Sequence, residues 1–156
     1  MQPHQSPRYE QVQGYAPNGV EVRARDDVRP IRVSDTDDPA RALISTGFPY
    51  DQPQLCGALE LFGRFAAITR GMRRSGSAAL DLCYVAAGRL DGYYEGGQWP
   101  WDIAAGGLIL EEAGGRVTDY RGGELNREGG EIVASNGHLH PAMIKLTGSH
   151  GQREEV

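Results

Sequence analysis

The segment Trp101-Asp102-Ile103-Ala104-Ala105-Gly106, running into Glu111-Glu112-Ala113-Gly114-Gly115, decides how this chain is read. Pro100 stands just before it, Asp102 falls in the first turn, and a double glycine follows the apolar stretch. Proline near a start and glycine just past an end is the ordinary asymmetry of a helix. The spacing therefore predicts a small apolar helix that holds one carboxylate at its positive end. A carboxylate fixed there can serve as a metal ligand. The plainer alternative is that Asp102 only caps or charges the first turn.

Outward from this helix, strands and helices alternate. Residues 91–95 read as a strand, followed by a loop over 96–100. Ser75-Gly76-Ser77 opens a helix that runs to Gly88, with Ala79, Leu82, Cys83 and Ala86 on one face. Leu80, Val85 and Ala87 make it apolar nearly all round, which predicts a central position. Residues 71–74 read as a short strand, 54–69 as a helix, 42–48 as a buried strand, and 31–33 as a further short strand before the turn-like 34–39. Beyond the double glycine, 115–120 and 132–135 read as strands and 138–146 as a terminal helix. The alternation predicts an α/β fold with helices layered on a sheet. Residues 1–29 mix Pro, Gln, Gly and charge without periodicity and read as an irregular arm. The expected division is an arm over 1–29, a domain over 30–147 and a tail over 148–156.

With 156 residues, 39% hydrophobic content and 22 glycines, the chain has the size and composition of one folded, turn-rich domain. A formal net charge of −5 provides no basic stripe for nucleic acid. No run is long enough to span a bilayer and the N-terminus has no apolar signal core, so a cytoplasmic protein without a membrane partner is expected. Cys56 and Cys83 lie in apolar helical patterns and read as buried thiols in a reducing compartment.

The chemistry-bearing candidates are few. Gly76-Ser77-Ala78 lies where a strand enters a helix, and exposed N–H groups there favour a ligand oxygen; a serine cap on a glycine turn explains it equally. Glu95 ends a strand beside Gly96-Gly97, from where it could accept hydroxyl protons of a polyol or simply be solvated. Gly106-Gly107 inside a helix costs about 1 kcal/mol per glycine, which implies close packing, for example against the Ser77 helix. Trp99 and Trp101 could wall a site or fill a core. The four histidines show no useful pairing, and the chain has no phosphate-binding loop and no dinucleotide fingerprint.

Taken in order, the run from Gly76-Ser77-Ala78 through Asp91-Gly92-Tyr93-Tyr94-Glu95, then Trp101-Asp102-Ile103-Ala104-Ala105-Gly106 and Glu112-Ala113-Gly114-Gly115, resembles the inositol monophosphatase family. The likeness extends less specifically over 29–146, including Pro30-Ile31-Arg32-Val33-Ser34 and Ser135-Asn136. It implies the later half of that α/β phosphatase fold. It also implies that Asp102 is a catalytic Mg²⁺ ligand near the attacking water, that Gly76, Ser77 and Ala78 contact substrate hydroxyls, and that Glu95 binds the inositol ring. The implied reaction is hydrolysis of a phosphate monoester, an inositol phosphate or related sugar phosphate, by metal-activated water.

The chain departs from the family in one respect. The Asp-Pro-Leu/Ile-Asp-Gly-Thr motif and glutamate pair that supply the other metal ligands are missing, and Asp38-Pro39-Ala40-Arg41 is no substitute. Asp102 alone cannot build a Mg²⁺ centre. The expectation is a truncated phosphatase, inactive alone, that self-associates or takes a partner over its uncovered apolar faces. The alternatives are a non-catalytic binding or assembly module, and a gene fragment whose missing half is encoded upstream.

Overall fold

The computed structural model describes residues 11–16, 19–24, 27–126 and 128–148, with side chains from Arg29 onward. Residues 1–10 of the expected arm and 149–156 of the expected tail lie outside them. Within the arm, the reading as irregular is corrected. Strands β1 (Gln11–Ala16), β2 (Gly19–Ala24) and β3 (Asp27–Pro30) form an antiparallel meander in that order. Strands of four to six residues leave little periodicity to read, which is why sequence pattern alone missed them.

The expected strand at 31–33 does not form. After Pro30, which has no N–H to donate, the chain runs without regular structure over 31–38. Its hydrogen bonds go elsewhere. Val33 N–H donates to Ala113 O (3.3 Å), and Ser34 Oγ donates to Asp91 Oδ1 (2.6 Å). Asn136 Nδ2 donates to Thr36 O at 2.7 Å. Ile31 and Val33 pack half-buried on the main core instead of joining a ladder.

The central sheet contains β4 (Leu43–Thr46), β5 (Gly71–Arg73), β6 (Gly92–Gln98), β7 (Arg116–Thr118) and β8 (Gly130–Ser135), ordered β5-β4-β6-β8-β7. β4 runs parallel to β5 and β6, and β8 runs antiparallel to β6 and β7. Four helices accompany it: α1 (Gln52–Ile68), α2 (Ala78–Ala86), α3 (Pro100–Glu112) and α4 (His140–Thr147). None of the described helices is long and apolar enough to cross a membrane.

Each face of the sheet carries its own core. Leu82, Val85, Tyr93, Ile103, Leu110 and Ile132 fill the side under α2 and α3. Ile44, Leu61, Phe65, Tyr94, Val133 and Met143 fill the side under α1 and α4. The period-2 alternation of β6 sends Tyr93 into the first core and Tyr94 into the second, where it stacks on Phe65 with centroids 4.1 Å apart. The same alternation returns Glu95 to the Tyr93 side.

Two expectations about burial are corrected. Helix α2 is not covered all round: Leu82, Val85 and Ala86 are buried, whereas Ala79 and Leu80 face outward. Cys56 is exposed, because its position on α1 points away from the sheet, and Cys83 is half-buried; both are free thiols. The glycine in α3 is explained by packing. A Cβ on Gly106 would stand 2.7 Å from Leu82 Cβ, so α2 and α3 approach more closely than any side chain there permits.

Candidate functional site

A cleft of about 490 Å³ opens where β4 and β6 end. In sheets with parallel strands the carboxyl ends are where side chains and helix N-termini meet without a connecting loop between them, and ligands bind there. Thr46 and Gly47 come from the end of β4, Asp51 and Gln54 from the start of α1, and Arg74 from the end of β5. The Gly76-Ser77-Ala78 turn, the Glu95–Gln98 stretch and the start of α3 complete the wall. All five residues singled out from sequence, Gly76, Ser77, Ala78, Glu95 and Asp102, line this one cleft.

Gly76 has φ +89°, a left-handed conformation that lets the chain turn from β5 into α2. Ser77 then takes extended backbone as the N-cap of α2, and its Oγ accepts the Leu80 N–H at 3.3 Å. The capping role considered from sequence is therefore present. It coexists with exposure of the turn to the cleft, so the positive end of α2 faces the cleft.

Glu95 is half-buried. Tyr93 Oη donates to its Oε2 at 2.6 Å. Opposite stands Gly47, where a Cβ would overlap the Glu95 carboxylate and force that side chain to swing away. Burial pushes the Glu95 carboxyl above the usual range. The Tyr93 hydroxyl pulls it back, the Asp81 charge raises it again, and Arg74 and Gln98 lower it. Burial and the facing Glu95 charge drive the Tyr93 phenol well above its ordinary value, so it stays a donor.

Asp102 is half-buried, and its Oδ2 accepts the Trp99 N–H at 3.2 Å. One oxygen thus closes the first turn of α3, as the plainer sequence reading held. Beside it the Trp99 and Trp101 rings stack, 5.3 Å between centroids and 5° from parallel, at 61% and 73% exposure. They form a rim to the cleft, not a core.

Sequence reasoning missed Asp51, Asp81 and Arg74 as lining residues. Asp81 had a readable signal: it is an ionisable residue four positions after the Ser77 cap, in an otherwise apolar helix. Asp51 and Arg74 had none, because only the tertiary fold carries their loops to the end of β6.

The fit to a metal can be judged from the donors. Asp51, Asp81, Glu95 and Asp102 all line the cleft, yet among the described residues no group of three or more His, Cys, Asp or Glu is placed to hold a metal ion. Mg²⁺ requires close octahedral oxygen coordination. Asp102 offers one carboxylate with one oxygen already engaged. The described residues do not fit a Mg²⁺ centre by themselves.

The architecture is a mixed α/β layer with a polar, acid-lined cleft at its strand ends. The sequence profile of the inositol monophosphatase family matches residues 1–152, and the chain belongs to that family. It is 49% identical over 116 residues to the inositol-1-monophosphatase of Synechocystis sp. PCC 6803, covering 74% of this chain and 40% of that protein. It is 47% identical over 106 residues to the Nus factor SuhB of Pasteurella multocida, covering 67% and 40% respectively. The inositol monophosphatase of Anabaena superposes with a TM-score of 0.81 at 42% identity, over 92% of this chain and 56% of that one. The chain spans less than half the length of these two curated relatives.

Proposed function

We propose that this chain binds a phosphate monoester of a polyol, of the inositol phosphate or sugar phosphate kind, and that its cleft is the hydroxyl-binding part of a Mg²⁺-dependent phosphomonoesterase site. The observation that carries this reading is the meeting of the α2 N-terminus at Ser77, the Glu95 carboxylate and Asp102 in one cleft. Glu95 accepts a ligand hydroxyl, held in orientation by the Tyr93 hydroxyl. The amides at the start of α2 receive a ligand oxygen. Asp102, at the head of α3, would supply one carboxylate toward the cation that the family resemblance implies, which would neutralise the phosphate and activate water once the other ligands were present.

On this reading little hydrolysis is expected from this chain alone, because among the described residues no group of three or more His, Cys, Asp or Glu is placed to hold a metal ion. Calorimetric titration with myo-inositol and with inositol 1-phosphate, each with and without Mg²⁺, tests the reading. Binding that is lost in Glu95→Gln supports it; no binding of either compound overturns it.

A second reading, a non-catalytic binding or assembly module, is favoured by the exposed Trp99–Trp101 pair and by relatives named as Nus factors. Under that reading Trp99→Ala and Trp101→Ala abolish association with a macromolecular partner, while Glu95→Gln does not.

A further inference from the structure

The sheet end carries a second bay, on the face opposite Glu95. It holds about 320 Å³ and is lined by Tyr94, Tyr120 and Glu131, with Pro49, Pro53 and Ala58 as its apolar side. Thr46, Gly47, Gly96 and Gly97 line both this bay and the main cleft and form the wall they share.

The pairing of β6 with β8 explains why the bay lies there. Tyr94 pairs with Val133 and Glu95 with Ile132, but Gln98 pairs with Gly130, so β6 carries one extra residue across Gly96-Gly97. Such a bulge disrupts the ladder and bends the strand. Alternation along β8 puts Glu131 on the Val133 side, the side of Tyr94 and Tyr120, and away from Ile132. A Cβ on Gly96 would stand 3.7 Å from the Tyr120 hydroxyl, so that hydroxyl reaches the bulge and a longer side chain at 96 would grow into the bay.

One group here is unfinished. Tyr94 is 2% exposed, its ring is stacked on Phe65, and its hydroxyl has no hydrogen-bond partner. A buried hydroxyl in that condition is costly. The lining also selects by charge. Among the described residues no Lys, Arg or His lines the bay, so an anion has no opposite charge to meet. An ammonium would meet neutral phenols at the buried end, because Glu131 is an exposed residue, and would lose its water with no charge beside it. An uncharged hydroxyl can donate to a carboxylate and can donate to or accept from a phenol.

We propose that this bay is a second binding site, for an uncharged polyhydroxylated group, with the Tyr94 and Tyr120 hydroxyls at its buried end and the Glu131 carboxylate at its mouth. Gly96 keeps it open. The assignment makes no use of Glu95 and stands apart from the reading of the main cleft.

The test is an NMR titration of the whole chain, carbon-labelled in its tyrosine rings, with myo-inositol, inorganic phosphate and ethylammonium. Myo-inositol should shift the Tyr94 and Tyr120 ring signals saturably, in wild type and in Glu95→Gln alike, and the two ions should not. Rings that do not move overturn the proposal, as does a shift that disappears in Glu95→Gln or a stronger response to either ion. Tyr94→Phe keeps the stack on Phe65 and removes only the unpartnered hydroxyl. Its melting temperature should hold, and its inositol affinity, read from Tyr120, should fall about three- to tenfold. Gly96→Leu should abolish the Tyr120 response by filling the bay. Unchanged affinity in both variants overturns the proposal; should either unfold, the wild-type ring shifts decide. Inositol binding lost in Glu95→Gln with both rings unmoved strikes the bay and leaves the proposed function. A Glu95→Gln chain that binds inositol as wild type does, with both rings shifting, strikes the reading of Glu95 and leaves the bay.

Discussion

Gly106 of α3 rests directly on Leu82 of α2, so closely that a methyl at 106 would lie 2.7 Å from the Leu82 Cβ and 2.9 Å from its Cδ1. Its neighbour Gly107 meets nothing within 4 Å. The two helices whose N-terminal ends frame the cleft therefore approach each other at Gly106 and not at Gly107. Gly106→Ala should destabilise by about 1–3 kcal/mol, the cost of overpacking against a helix gain of about 1 kcal/mol. Gly107→Ala should be neutral or stabilising by up to about 1 kcal/mol. Paired thermal melts of the two variants measure the difference; equal behaviour would show that α2 can move away.

His140 is buried between Thr118 Oγ1 and Ser135 Oγ, each 2.9 Å from a ring nitrogen. Burial, then the Arg116 charge, lowers its pKa from the ordinary 6.5 to about 4. The unfolded chain takes up a proton at higher pH than the folded one. Stability contributed by the neutral ring is therefore complete above pH 6.5 and is lost as pH falls through 6.5 toward 4. Urea melts between pH 7 and 4 should follow this slope, and His140→Gln should flatten it.

Asp81 and Glu95 act with the opposite sign. Burial raises both carboxyls, so ionising them costs stability once pH rises above their unfolded values. Asp81→Asn should raise the melting temperature at pH 7 and 8, and the gain should vanish in acid, where the native carboxyl is protonated anyway. A variant less stable than wild type at every pH would show that the favourable interactions of the carboxyl outweigh its desolvation.

Ser77→Ala removes the oxygen that receives the Leu80 N–H, and helix caps of this kind contribute about 1 kcal/mol. Ser77→Gly should cost only a few tenths, because the N-terminus stays open to water. If Ser77 also meets a ligand, both variants should weaken inositol binding equally despite unequal stability. Calorimetry and melts on the same samples separate the two effects.

The exposed Trp99 and Trp101, together with Leu108 at 50% exposure, present apolar surface of a kind usual at interfaces. Self-association at micromolar concentration is the expected outcome in sedimentation velocity, reduced in the Trp101→Ser variant. A monomer at all concentrations would mean that the stacked pair is stable in water by itself.

Much of the layered fold was legible because its signals are local. Apolar spacing in α1 and α2, Pro100 at the start of α3, the left-handed Gly114 after it and the alternation in β6 each act within a few residues. The resemblance to a known family likewise resides in contiguous motifs, and its five candidate residues lie near three element ends that the sheet then brings together. The meander of β1, β2 and β3 was not legible, since short strands gain their stability from pairing and not from pattern.

Sequence by itself determined which residues cap, turn and alternate, because those choices depend on backbone conformation and short-range hydrogen bonds. It could name Asp102 as a carboxylate at a helix start but could not tell capping from cleft lining; the folded chain gives it both. Only tertiary structure decided that Asp81 is buried, that Gly47 faces Glu95, and that residues 31–38 cross the helix ends instead of entering the sheet. Those outcomes depend on distances between segments far apart in the chain, set by how closely α2 and α3 pack on β6. Desolvation, which governs the charges of the cleft, has no value until that packing exists.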